Sequence, residues 1–69
     1  MITISGHDLK GRACSVTYAP RDIHHISVGT AGATIYISQD RADIAVSMRE
    51  YRRIKPLLSK KTKITGDES

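Results

Sequence analysis

Three observations predict an α+β fold that is mainly β. Apolar residues recur at a spacing of two over the first two thirds of the chain, branched side chains outnumber leucine, and the spacing changes to three or four near residue 48. Nine isoleucines and three valines stand against three leucines, and a branched Cβ suits a pleated surface better than a helix. The expected architecture is a small antiparallel sheet of four or five short strands followed by one C-terminal helix.

Ile2 and Ile4 open the first strand. After the turn-forming stretch from Gly6 to Gly11, Cys14, Val16 and Tyr18 alternate with Ser15 and Thr17, and Pro20 ends that strand because proline cannot donate to a ladder. Ile26 and Val28 precede Gly29-Thr30-Ala31-Gly32, whose glycines are expected to supply backbone angles that a side chain resists; Ile35 and Ile37 then alternate with Thr34, Tyr36 and Ser38. This is a hairpin, with Thr34, Tyr36 and Ser38 on the face away from the core or against a partner. A polar turn at residues 39 to 42 leads to a strand carrying Ile44 and Val46.

At Ser47 the period changes. Ser47 and Glu50 have capping-box spacing: the serine oxygen accepts from an early helix N–H, and the glutamate reaches back to the serine N–H. Met48, Tyr51, Ile54 and Leu58 form an apolar stripe at helical spacing, and Pro56 ends or kinks the helix after residue 54. Residues 1 to 59 are thus read as a single domain, and residues 60 to 69 as a flexible tail, basic and then acidic.

A 69-residue chain buries only about 60% of the surface that its unfolded form exposes, so its core is marginal. Cys14 is the single cysteine, which rules out a disulfide within one chain and leaves a homodimer as the expected remedy. The N-terminal residues lack the apolar run of a signal peptide, no stretch reaches the length of a membrane span, and a lone cysteine suits a reducing compartment. The expected location is cytoplasmic, with no membrane partner.

His7, His24 and His25 are candidate ligands or proton carriers, but strand neighbours point to opposite faces, and no Cys/His spacing of a zinc site accompanies them. No nucleophile, base and acid stand at a spacing that links them. The chain is therefore read as non-enzymatic, without catalytic residues, metal or cofactor. Gly29-Thr30-Ala31-Gly32 resembles the Gly-x-x-Gly loop of KH-type RNA-binding domains in form, but Thr30 and Ala31 occupy positions where that loop carries a basic residue, and the alternation after it favours a hairpin. The order Asp22-Ile23-His24-His25-Ile26, Ile35-Tyr36-Ile37, Ile44-Ala45-Val46 and Met48-Arg49-Glu50 is similar in rhythm to the second half of LytTR-type DNA-binding domains. That likeness of element order transfers no binding residues.

Charge is the strongest functional signal. Over residues 1 to 48, Lys10, Arg12, Arg21 and Arg41 balance Asp8, Asp22, Asp40 and Asp43, whereas Arg49, Arg52, Arg53, Lys55, Lys60, Lys61 and Lys63 face Glu50 alone in residues 49 to 63. These seven cations are the candidate nucleic-acid contacts, for DNA or RNA, of a small regulator. The alternative is a protein-binding inhibitor or adaptor, of the kind that phages and other mobile elements encode, which engages a host protein through a sheet edge or through Tyr36, Tyr51, Ile54, Leu57 and Leu58.

Overall fold

In the computed structural model, which describes residues 1 to 66, the alternating segments join in one six-stranded sheet. Its elements are β1 (Ile2–His7), β2 (Ala13–Tyr18), β3 (His25–Val28), β4 (Gly32–Ser38), β5 (Arg41–Ser47), α1 (Met48–Ile54) and β6 (Lys63–Gly66), with 3-10 turns at Pro20–Asp22 and Lys55–Leu57. The strand order is β2-β1-β5-β4-β3-β6. Every pairing is antiparallel except β3 with β6, which is parallel.

The protein is thus α+β and mostly β, but the sheet is mixed and has six strands rather than four or five, and the helix is not the last element. The correction lies in β6. Lys63-Ile64-Thr65-Gly66 contains one apolar residue, too few to display an alternation, and the cations Lys60, Lys61 and Lys63 suggested a flexible tail. Its order comes from a distant partner: Ile64 sits in register with Ile26 and packs against the core. Residues 63 to 66 of the expected tail thus join the sheet as its edge strand, and the rest of that tail lies outside the described residues.

The inner face of the sheet follows the branched residues. Ile26, Ile35 and Ile44 occupy one register row across β3, β4 and β5, and all are fully buried. Ile2, Ile4, Ile23, Val28, Ala33 and Val46 extend this core, and α1 closes it with Tyr51 and Ile54, flanked by Met48 and Leu58. Burying each isoleucine is worth roughly 1.5–3 kcal/mol, so these rows carry much of the drive to fold. The expected helical stripe thus meets the expected strand faces.

Two of the sheet's local departures bear on β1 and β2. Ile35 pairs with Ile44 and Tyr36 with Ala42, so Asp43 is an extra residue without a register partner. Such a bulge re-aims a side chain, and here the Asp43 carboxylate accepts a hydrogen bond from the Tyr18 hydroxyl of β2, a strand that does not pair with β5. The second departure is the seam between β1 and β5, which meet in register only at His7 and Ala45. Gly6 lies beside that point, and a Cβ on it would come within 2.2 Å of the Ala45 carbonyl oxygen.

Along the rest of the seam, side chains of α1 serve the backbone of β1. The Ser5 N–H donates to Glu50 Oε2 at 2.8 Å, and Arg53 donates to the Thr3 carbonyl at 2.6 Å. The capping box is therefore only half formed: Ser47 Oγ accepts from the Glu50 N–H at 3.2 Å, but the Glu50 carboxylate turns to Ser5 and Arg53 instead of back to Ser47. The glycines of the β3–β4 hairpin are also used differently from expectation. Positive φ occurs at Gly11 and Gly66, not at Gly29 or Gly32, and Gly32 serves close packing, since a Cβ there would lie 2.4 Å from the Val46 carbonyl oxygen.

Candidate nucleic-acid interface

Strand alternation places two kinds of surface back to back. With Ile26, Ile35 and Ile64 facing inward, the outer face of β4, β3 and β6 carries Tyr36, His25 and Lys63 in one register row, and Thr34, Ser27 and Thr65 in the next but one. The Tyr36 and His25 rings stack with centroids 4.2 Å apart and planes inclined by 10°. His24 meets His25 edge-on, with 3.5 Å between their Nδ1 atoms. The expectation that these neighbours point apart fails for a simple reason: β3 starts at His25, so His24 lies outside the alternating strand.

Backbone contacts fix the segment that brings lysines to this face. The Lys63 N–H donates to the His24 carbonyl at 3.3 Å, and Thr62 Oγ1 donates to the Ile23 carbonyl at 3.0 Å. Before them, a turn is closed by the Thr62 N–H on the Ser59 carbonyl and by the Lys61 N–H on Ser59 Oγ. Lys60 and Lys61 are exposed in that turn, and Lys63 is exposed at the start of β6.

The other candidate cations belong to the opposite side of the sheet, where α1 packs. Arg49 and Arg52 are exposed. Lys55 Nζ lies 5.9 Å from the centre of the Tyr51 ring, within range of a cation–π contact. Arg53 has a structural occupation: its guanidinium grips Glu50 through two nitrogens at 2.7 Å while holding the Thr3 carbonyl. That grip and the Ser5 N–H hold the Glu50 carboxyl down at about 2. Among the described residues Arg49, Arg52, Lys60, Lys61 and Lys63 form no ion pair. The seven cations, close together in sequence, therefore form two groups, one at α1 and one around β6.

Residues of the protein-facing alternative are divided as well. Tyr51 and Ile54 are core, Leu58 is half-buried against it, Tyr36 is half-buried on the outer face, and Leu57 is exposed. Among the described residues the buried Tyr51 hydroxyl has no hydrogen-bond partner, and burial raises its pKa. Cys14 is half-buried. Among the described residues no group of three or more His, Cys, Asp or Glu side chains can hold a metal ion, and no helix is long and apolar enough to cross a membrane.

The feature that sequence reading missed is the His25–Tyr36 stack beside Lys63. Its signal was partly present, because Tyr36 and a histidine fall on outward positions of facing strands, but the third member depends on β6. Comparison with protein-family models, with curated proteins and with solved structures gives no match to the chain.

Proposed function

We propose that the protein is a small, non-enzymatic nucleic-acid-binding regulator whose contact surface centres on the outer face of β3, β4 and β6. The observation that carries this reading is the row Tyr36, His25 and Lys63, with Lys60 and Lys61 in the turn that leads into it. Lysines that form no ion pair among the described residues supply phosphate contacts, and each phosphate neutralised releases counterions on binding. Bases stack on aromatic and imidazole rings, with no need for a base-specific partner. Their combination at one sheet face suits an unpaired strand, whose bases are free to stack, better than a closed duplex. Arg49 and Arg52 extend the charge to the helix side, and Arg53 supports it by holding α1 to β1.

The test is a fluorescence-anisotropy titration against mixed-sequence single-stranded RNA, single-stranded DNA and duplex DNA at two salt concentrations. Binding to single strands is expected to be tighter than to duplex. Lys61→Ala with Lys63→Ala should reduce the salt slope by about 1.4, two contacts at about 0.7 each, and Tyr36→Ala should cost about 1–3 kcal/mol of affinity. No binding to any of the three at low salt would overturn the proposal and favour the inhibitor or adaptor reading. Its helix-face version has lost Tyr51 and Ile54 to the core, and its sheet-edge version retains an open strand.

A further inference from the structure

We propose that two copies of this chain pair through the outer edges of their β2 strands, antiparallel about a two-fold axis, so that their sheets become one. β2 is an edge of the sheet, and among the described residues no strand pairs with its outer side. In an antiparallel ladder every second residue of an edge strand directs its N–H and C=O outward, which makes the edge a template for another strand. Proteins ordinarily guard such edges with lysine, proline, an inward charge or a very short strand. Ala13-Cys14-Ser15-Val16-Thr17-Tyr18 has no charged residue and no proline, and its six residues all pair with β1.

A second copy fits this edge for reasons of charge and of face. The chain carries a net charge of +4, and seven of its eleven cations fall within residues 49 to 63, whereas β2 itself is neutral, so two copies meet there without like charges on the paired strands. Cys14, Val16 and Tyr18 share the inner side and are only half-buried at the rim of the core, while Ala13, Ser15 and Thr17 are exposed on the outer side. Joining two sheets with their inner sides aligned restricts the register, because opposed residues must face the same way. Of the registers that satisfy this, the two with the longest overlap, five β2 residues from each copy, place Ser15 opposite either the second copy's Ser15 or the second copy's Thr17. In those two registers Arg12, just before β2, is opposed to the second copy's Tyr18 or Pro20, so the two Arg12 side chains lie at opposite ends of the joint. The hydrogen bond from Tyr18 to Asp43 fixes β2 to the body of the domain, so the edge is presented on a rigid frame.

The experiment is light scattering on the full chain at micromolar concentration, with charge variants at the two exposed outer positions of β2. Wild type is expected to have the mass of a dimer. Ser15→Lys with Thr17→Lys places like charges directly opposite each other in both of those registers and should give a monomer, as should Ser15→Glu with Thr17→Glu. Mixing the two variants should restore the dimer mass, an outcome that unfolded variants cannot produce. Lys63→Glu, on the other edge, should remain dimeric. A monomeric wild type, or a dimer that survives the lysine pair, would overturn the proposal; the former would leave this edge to a strand from a different protein. If both charge variants unfold, hydrogen exchange on wild type decides: dilution should speed exchange of alternate β2 amides and leave those of β6 unchanged, and equal behaviour of the two strands would overturn it.

Discussion

β2 and β6 are the two edges of one sheet, and each leaves backbone groups bare in a different way. β2 is six residues long, neutral, antiparallel to β1 along its whole length and tied further inward by Tyr18. β6 is four residues long, parallel to β3, starts on a lysine and ends on a glycine with φ of +96°. A short, charged and bent edge discourages a further strand, whereas a long neutral one does not. In our reading the two ends of the sheet do different work: β6 presents side chains outward to phosphates and bases, and β2 presents its backbone to a copy of itself.

The largest effect is expected where an edge depends on one residue. A Cβ on Gly66 would lie 2.1 Å from the Val28 carbonyl oxygen, at a φ that L side chains rarely adopt, so Gly66→Val should cost about 3 kcal/mol, measured by thermal or urea unfolding. Gly11, in the turn that leads into β2, also has positive φ, at +80°, but nothing lies within 4 Å of its missing Cβ. Gly11→Val should therefore cost only the backbone strain, about 1–2 kcal/mol. Equal losses would break the contrast between a crowded edge and an open turn. If β6 positions Lys63, Gly66→Val should also weaken single-strand binding while Gly11→Val leaves it intact.

A smaller effect is expected at the seam, where α1 rather than a strand satisfies part of β1. Glu50→Ala removes the acceptor for the Ser5 N–H and the partner of Arg53, and should cost about 1–2 kcal/mol. The contact also sets a pH dependence. The Glu50 carboxyl is held at about 2, below its ordinary 4.5, chiefly by the hydrogen bond from Arg53 and then by the Ser5 N–H. Its contribution is complete above 4.5 and is lost as pH falls toward 2, because the unfolded chain takes up the proton first. Acid titration of stability should show that loss in wild type and less of it in Glu50→Ala. An identical acid limb in both proteins would show that the seam does not depend on this carboxylate.

What was legible in the sequence divides along the same lines. The rows of Ile2, Ile4, Ile26, Ile35 and Ile44 could be read because one buried face imposes a period of two, and α1 could be read because Met48, Tyr51, Ile54 and Leu58 impose a longer one. β6 could not: its single apolar residue, Ile64, gains meaning only from Ile26, far back in the chain. The seven cations were legible as charge but not as a site, since sequence proximity suggested one surface where alternation and the 3-10 turn divide them. Arg53 shows the limit most clearly. Its role depends on Thr3, fifty residues earlier, which no local pattern connects to it.

The smallest effects expected come from two phenol hydroxyls, one at the β2 edge and one beneath the helix. Tyr18 donates to Asp43, and its pKa is pushed up to about 12 by burial first and by that hydrogen bond second. The folded protein therefore keeps this proton at pH values where the unfolded chain releases it. The associated stability is intact below the ordinary 10 and declines as pH rises toward 12. Tyr18→Phe should cost about 1 kcal/mol near neutral pH, the net worth of one such bond, and should flatten the alkaline decline. The buried Tyr51 hydroxyl has no partner among the described residues, so Tyr51→Phe removes an unsatisfied polar group while keeping the ring that fills the core. That substitution should leave stability unchanged or raise it by up to about 1 kcal/mol. Urea unfolding of both variants at neutral pH measures the difference. If Tyr51→Phe is the more damaging of the two, the hydroxyl beneath α1 has a partner in solution. If Tyr18→Phe costs nothing, β2 is held by β1 alone, and its edge is less firmly presented than the proposed pairing of two copies requires.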